Sequence, residues 1–178
     1  MVEHKEYKRH QETCGHRPVI CPGSACCGET MAFCEVEEHA STCVGISRGI
    51  TSALRCSIYE EEMLYMGVKA WRTEMFNDVG GDTFFLQIQE EENIFSVDVV
   101  MLGSKEQCEG LAAEVTFTNP VTRREFFKST FSPRPITATN DTEDASLIIK
   151  QRTVAKGWNI NRETMDYKFK VSAKVNRR

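Results

Sequence analysis

The chain lacks several things, and each absence excludes something. No stretch of its 178 residues approaches the roughly 20 consecutive apolar residues of a membrane helix. The opening segment, MVEHKEYKRHQETC, is charged throughout and has no apolar run, so no secretory leader is read there. Positive charge is not in excess: 22 Lys and Arg stand against 26 Asp and Glu, for a net charge of −4 and a pI of about 5.7. Phosphate neutralisation needs a basic footprint, so nucleic acid is not expected as a partner, and neither is a membrane. Internal repeats and low-complexity tracts are absent too. With 40% hydrophobic and 27% charged residues, the composition is that of a folded globular chain.

What the chain does have is cysteine, concentrated in one place. Six of the eight cysteines lie between Cys14 and Cys43, whereas Cys56 and Cys108 stand alone. A disulfide scaffold spreads its bridges over the whole fold; a metal module gathers its ligands. Without a secretory leader the expected compartment is the cytoplasm, with the nucleus as a second location, and there thiols stay reduced. In CPGSACCGETMAFCEVEEHASTC, Cys21 and Cys27 are separated by five residues, eleven precede His39, and three more lead to Cys43. A knuckle giving two thiolates, followed by a His and a Cys one helical turn apart, can close a tetrahedron around zinc. EVEEHAST suits a short helix on which His39 and Cys43 face one way. Cys26 in place of Cys27 gives spacings of four and twelve, and the sequence leaves both options open. His10 and Cys14 repeat the closing half of the pattern as a half-site. A four-ligand site has no open position for water, so the zinc would be structural and not catalytic. A nucleophilic cysteine is the enzyme alternative, but no orienting third group is recognisable beside any Cys–His pair. Glu35, Glu37 and Glu38 on the expected helix would repel phosphates.

From about residue 50 the character changes. Phe95, Val97, Val99 and Met101 alternate with other residues, as do Val115 and Phe117, and Tyr167 to Val175 alternates with lysines and a serine. This period of two predicts half-buried antiparallel strands. NPVTRRE reads as a turn and REFFKSTF as the returning strand, while SKEQCEG suits a helical turn and 129–146 a loop. EEEN and YEEE read as solvated edges, the phenylalanines 126, 127 and 131 as core, and Trp71 as core or, less simply, the wall of a peptide groove. The predicted organisation is mainly β: a zinc-finger region over 1–46, then a β-sandwich over 47–178.

HQETCGHRPVICPGSACCGETMAFCEVEEHASTC resembles the second half of the zinc-finger region of seven-in-absentia proteins. The resemblance runs through Arg17-Pro18, Cys21-Pro22 and the closing His39, with Cys43 where animal members often have His. DTFFLQIQ, FSVDVVMLGSKEQCEGLAAEVTFTN, RREFFKSTFSPRPI and GWNINRETMDYKFKVSAKV are similar, in order and spacing, to that family's TRAF-like substrate-binding sandwich. The resemblance runs from about Tyr7 to Val175. It implies a RING-type E3 ubiquitin ligase that engages an E2 through its RING, dimerises with itself or a relative, and presents target proteins for degradation. The ligand set of a RING is not found before Tyr7, and the stretch Leu54 to Asp82 is shorter than in the family. A RING-less adaptor that regulates a RING-bearing relative is the alternative the same residues allow.

Overall fold

The computed structural model describes residues 10, 13–23, 27–48, 54–58, 63–64, 69–71, 73–77, 80–91, 94–119, 122–137, 147–150 and 169–177; for 54–58, 63–64, 69–71 and 169–170 the description covers the backbone. The chain is mainly β, as its alternating patterns predict. A small hairpin, β1 (Pro18–Ile20) with β2 (Thr30–Ala32), is followed by a single 3₁₀ turn and a helix over Val36–Thr42. The chain then enters two larger sheets. One runs β11 (Glu125–Phe131), β10 (Leu111–Thr118), β14 (Phe169–Arg177), β4 (Leu54–Ile58). The other centres on β8 (Thr83–Glu91) and β9 (Ile94–Met101). Along β8's free side lie β6 (Lys69–Trp71) and β7 (Thr73–Asn77), with β5 (Met63–Leu64) beyond β6. Along β9's lie β12 (Arg134–Pro135) and β13 (Leu147–Lys150). The stretch from Leu54 to Asp82 therefore supplies strands to both sheets.

The sheets face each other through the side chains that alternation predicts. Phe84, Leu86 and Ile88 of β8 and Phe95, Val97, Val99 and Met101 of β9 point inward, against Ala113, Val115 and Phe117 of β10 and Val171, Ala173 and Val175 of β14. Phe76 stacks on Phe84 with centroids 5.5 Å apart, and Phe127 meets Phe117 edge-on at 5.8 Å. Each fully buried phenylalanine of this kind contributes about 3 kcal/mol from area removed from water, an upper estimate. Phe126, Phe127 and Phe131 are partly buried and pack on this core. The helical turn forms over Lys105–Glu109; Ser104 Oγ accepts from the Gln107 N–H, and Gln107 Oε1 accepts from the Ser104 N–H at 2.7 Å. This capped turn buries Cys108 against Met101. The turn before β11 is tied by Asn119, whose side chain accepts from the Thr122 N–H.

Four features differ from the sequence reading. Two contacts are parallel rather than antiparallel: β12 on β9, and β3 (Ile46–Arg48) on β7. The second arises because β3 enters from the finger side, not by a hairpin. It also carries the expected boundary between residues 46 and 47 inside a strand of the larger sheet. Within the stretch expected to be a loop, Arg134–Pro135 forms a short edge pairing, a position where proline loses no ladder bond. Glu90, expected on a solvated edge, is buried, because the β8–β9 register sets it opposite Phe95 on the inward face. The side chains of Trp71 and Trp158, and YEEE as a whole, lie outside the described residues.

Candidate metal centre

Each of the four candidate ligand side chains is positioned by a separate local device. Cys21 follows β1; its N–H donates to Glu29 O at 2.8 Å, and its Sγ accepts from the Gly23 N–H at 3.3 Å. The loop returns when the Cys27 N–H donates to Gly23 O at 3.0 Å, and Gly28, with φ +65°, turns the chain in the left-handed region that glycine adopts freely. A Cβ on Gly23 would lie 2.9 Å from Ile46 Cγ1 and 3.0 Å from the Gly45 backbone, so this knuckle tolerates no side chain there. His39 projects from the helix. Cys43 is not on it: the helix ends at Thr42, and Cys43 caps it in extended conformation, its N–H donating to His39 O at 2.9 Å.

The result is one cluster. The donor atoms of Cys21, Cys27, His39 and Cys43 all lie within 4.8 Å of one another. Cys21 Sγ and Cys43 Sγ are 3.7 Å apart; His39 Nε2 lies 3.3 Å from Cys21 Sγ and 3.4 Å from Cys27 Sγ. Zinc–sulfur bonds near 2.3 Å and a zinc–nitrogen bond near 2.0–2.1 Å give tetrahedral edges of about 3.8 and 3.6 Å. The donor spacing fits a single metal ion, and it excludes disulfides, whose sulfurs sit about 2.05 Å apart.

Electrostatics point the same way. Burial pushes the Cys21 thiol far up, and Cys43 and Cys27 push it further; only the Gly23 N–H acts in the opposite sense. Burial also raises Cys27, partly offset by the Glu29 N–H. Cys21 has no exposed surface and Cys43 is 8% exposed. Thiolates cannot gather here without a cation, and a cation that enters must displace protons. The same shifts bear on the enzyme alternative. A carboxylate does stand behind His39, with Glu29 Oε2 3.3 Å from Nδ1, so the third group that sequence reasoning missed is present. An activated nucleophile nevertheless needs a lowered thiol pKa, and these are raised. No spacing rule announces Glu29; only the fold brings it beside the imidazole.

The remaining candidates are not joined to this cluster. Cys14 and His10 are one turn apart, the Cys14 N–H donating to His10 O at 2.8 Å, and His10 is exposed. Among the described residues no third ligand completes a group with them. Cys34 is exposed, its Sγ 4.0 Å from His16 Nδ1. Cys26 lies outside the described residues, and Cys27 is the member of that pair in the cluster.

The centre is seated on the outer face of the larger sheet. Val19, Val36, Ala40 and Ile46 from the finger pack with Met75, Phe85, Val100 and Ile136. Pro22 O accepts from Thr73 Oγ1 at 3.0 Å and Gln87 Nε2 at 2.5 Å, the Ile20 N–H donates to Thr137 O at 3.1 Å, and the Thr73 N–H donates to Gly45 O at 3.0 Å. Arg17 stacks over Phe33 at 3.6 Å and reaches Gly103 O at 3.2 Å. No helix among the described residues is long and apolar enough to cross a membrane. Compared with known proteins, the chain matches no family model and no curated protein.

Proposed function

We propose that this chain is the target-recognition part of a seven-in-absentia-type ubiquitin ligase, a structural zinc finger mounted on a TRAF-like sandwich. The observation that carries the reading is the closed Cys3His cluster built directly onto the outer face of a two-sheet β platform. Three sulfurs and one imidazole nitrogen suit zinc, and four protein ligands leave it no coordination position for substrate. The ion then acts on shape alone, and function falls to surfaces. Targets would be proteins or extended peptides; an E2 would be engaged through a RING, and the sandwich would pair with itself or a relative. The exposed acidic residues Glu35 and Glu38 on the finger support a protein partner over nucleic acid.

The test combines the purified chain with an E2, ubiquitin, and a RING-bearing seven-in-absentia protein. The chain alone should make no ubiquitin conjugates. With the RING-bearing protein it should co-purify and raise conjugate output on shared targets. Co-purification with a fall in output would instead mark the adaptor that occupies a relative. Absence of any association, with unchanged output, contradicts the proposal.

A further inference from the structure

We infer that Glu29 is a positioning residue of the metal centre, holding the Nδ1 proton of His39 and with it the orientation of the ring. The inference rests on reading Cys21, Cys27, His39 and Cys43 as metal ligands. Glu29 touches three of those four residues through three different groups. Its carbonyl accepts from the Cys21 N–H at 2.8 Å. Its N–H donates toward the Cys27 thiol, which draws that pKa down. Its carboxylate lies 3.3 Å from His39 Nδ1. The imidazole has only two nitrogens, and Nε2 is the one facing the sulfurs, 3.3 Å from Cys21 and 3.4 Å from Cys27. A carboxylate behind Nδ1 holds the proton there and leaves the Nε2 lone pair for the ion. It also puts electron density into the ring and strengthens the metal–nitrogen bond.

The backbone and side-chain roles separate cleanly. A substitution at position 29 leaves the carbonyl and N–H in place and removes only the contact to His39. The side chain of Glu29 is 66% exposed and that of His39 is 19% exposed. Solvent therefore weakens the carboxylate's effect, which places it at the lower end of the tenfold to hundredfold range for such partners.

Cobalt(II) titration of the whole chain, followed by zinc competition against a chromogenic chelator, tests this with the wild type, Glu29→Gln and Glu29→Ala. All three should give the visible bands of a tetrahedral thiolate-rich site. Zinc affinity should fall about tenfold in Glu29→Ala, with Glu29→Gln between, since an amide oxygen accepts the Nδ1 proton without charge. The gap between wild type and Glu29→Gln should narrow in about 1 M salt. Proton and nitrogen NMR of His39 in the loaded chain should show a downfield, slowly exchanging Nδ1 proton in the wild type and an upfield, faster-exchanging one in Glu29→Ala, a change that loss of generic stability would not produce. Equal affinities and an equal Nδ1 proton signal in wild type and Glu29→Ala overturn the inference. So does a loss confined to the melting of the metal-free chain. If the wild type itself gives no cobalt bands, the metal reading has failed, a result distinct from either.

Discussion

The finger and the sandwich bury their cores by different means. The sandwich closes two sheets over a continuous apolar layer that includes Phe76, Phe84, Phe95 and Phe117. The finger, over residues 13–48, contributes few apolar side chains of its own, and it completes its core by borrowing Met75, Phe85, Val100 and Ile136 from the outer face of the sheet. A borrowed surface and, in the proposed reading, an ion replace what a module of this size cannot supply itself. The difference meets in one strand: Phe84 and Phe85 are adjacent and both buried, yet one belongs to the sandwich core and the other to the seat of the finger.

The largest expected effect is metal removal. Structural zinc in isolated fingers is worth about 10–16 kcal/mol in apparent binding energy, so a strong chelator should unfold residues 13–48. The sandwich should keep its strands, and the uncovered Phe85, Met75 and Val100 should bind a hydrophobic dye. Limited proteolysis with amide NMR would read both halves; concerted loss of all strands would show that they are one cooperative unit. Next come the two phenylalanines. Phe84→Ala and Phe85→Ala should each destabilise the chain by about 3–5 kcal/mol. Only Phe85→Ala should also weaken metal affinity, as chelator competition would report, and equal effects on affinity would erase the proposed boundary.

A smaller effect belongs to the sandwich alone. Burial pushes the Cys108 thiol up to about 11 from the ordinary 9.0. Below pH 9 it is protonated in both folded and unfolded chains and contributes no pH dependence. Between the two values the unfolded chain releases its proton first, so stability falls as pH rises, by about 3 kcal/mol in total. Denaturant melts of wild type and Cys108→Ala from pH 8 to 11 should converge by about 2 kcal/mol, since the folded thiol is only half ionised at pH 11; parallel curves would refute it. Smallest is a contrast in reactivity: exposed Cys34 should alkylate quickly in the native, metal-loaded chain, while Cys21, Cys27 and Cys43 stay protected until the metal is removed. Peptide mapping after a brief iodoacetamide pulse would show it.

Much of this was legible in the residues. The alternation of Phe95, Val97, Val99 and Met101, and of Val171, Ala173 and Val175, specified the inward face of the sandwich, because a strand's period is independent of what lies far away. The candidate cluster was legible, apart from the choice between Cys26 and Cys27, because cysteine and histidine spacing reflects local turns. What covers the opposite face was not. Thr83 to Leu86 and Val97 to Met101 are buried without interruption, on both faces, where the finger sits; farther along, Gln87 and Ser96 restore alternation. The continuous runs are visible in TFFL and VDVVM, but a one-dimensional pattern does not name the covering element. Glu90 and Glu29 were illegible for a related reason: pairing register placed the first, and the return of a glycine-containing loop placed the second.

The most direct measurement is zinc-edge X-ray absorption, with metal content, on the purified chain. The account predicts one tightly held ion with three sulfurs near 2.3 Å and one imidazole nitrogen near 2.0 Å. A chain without stoichiometric metal, or an ion with an oxygen-rich shell that persists after Cys43→Ala, would contradict it.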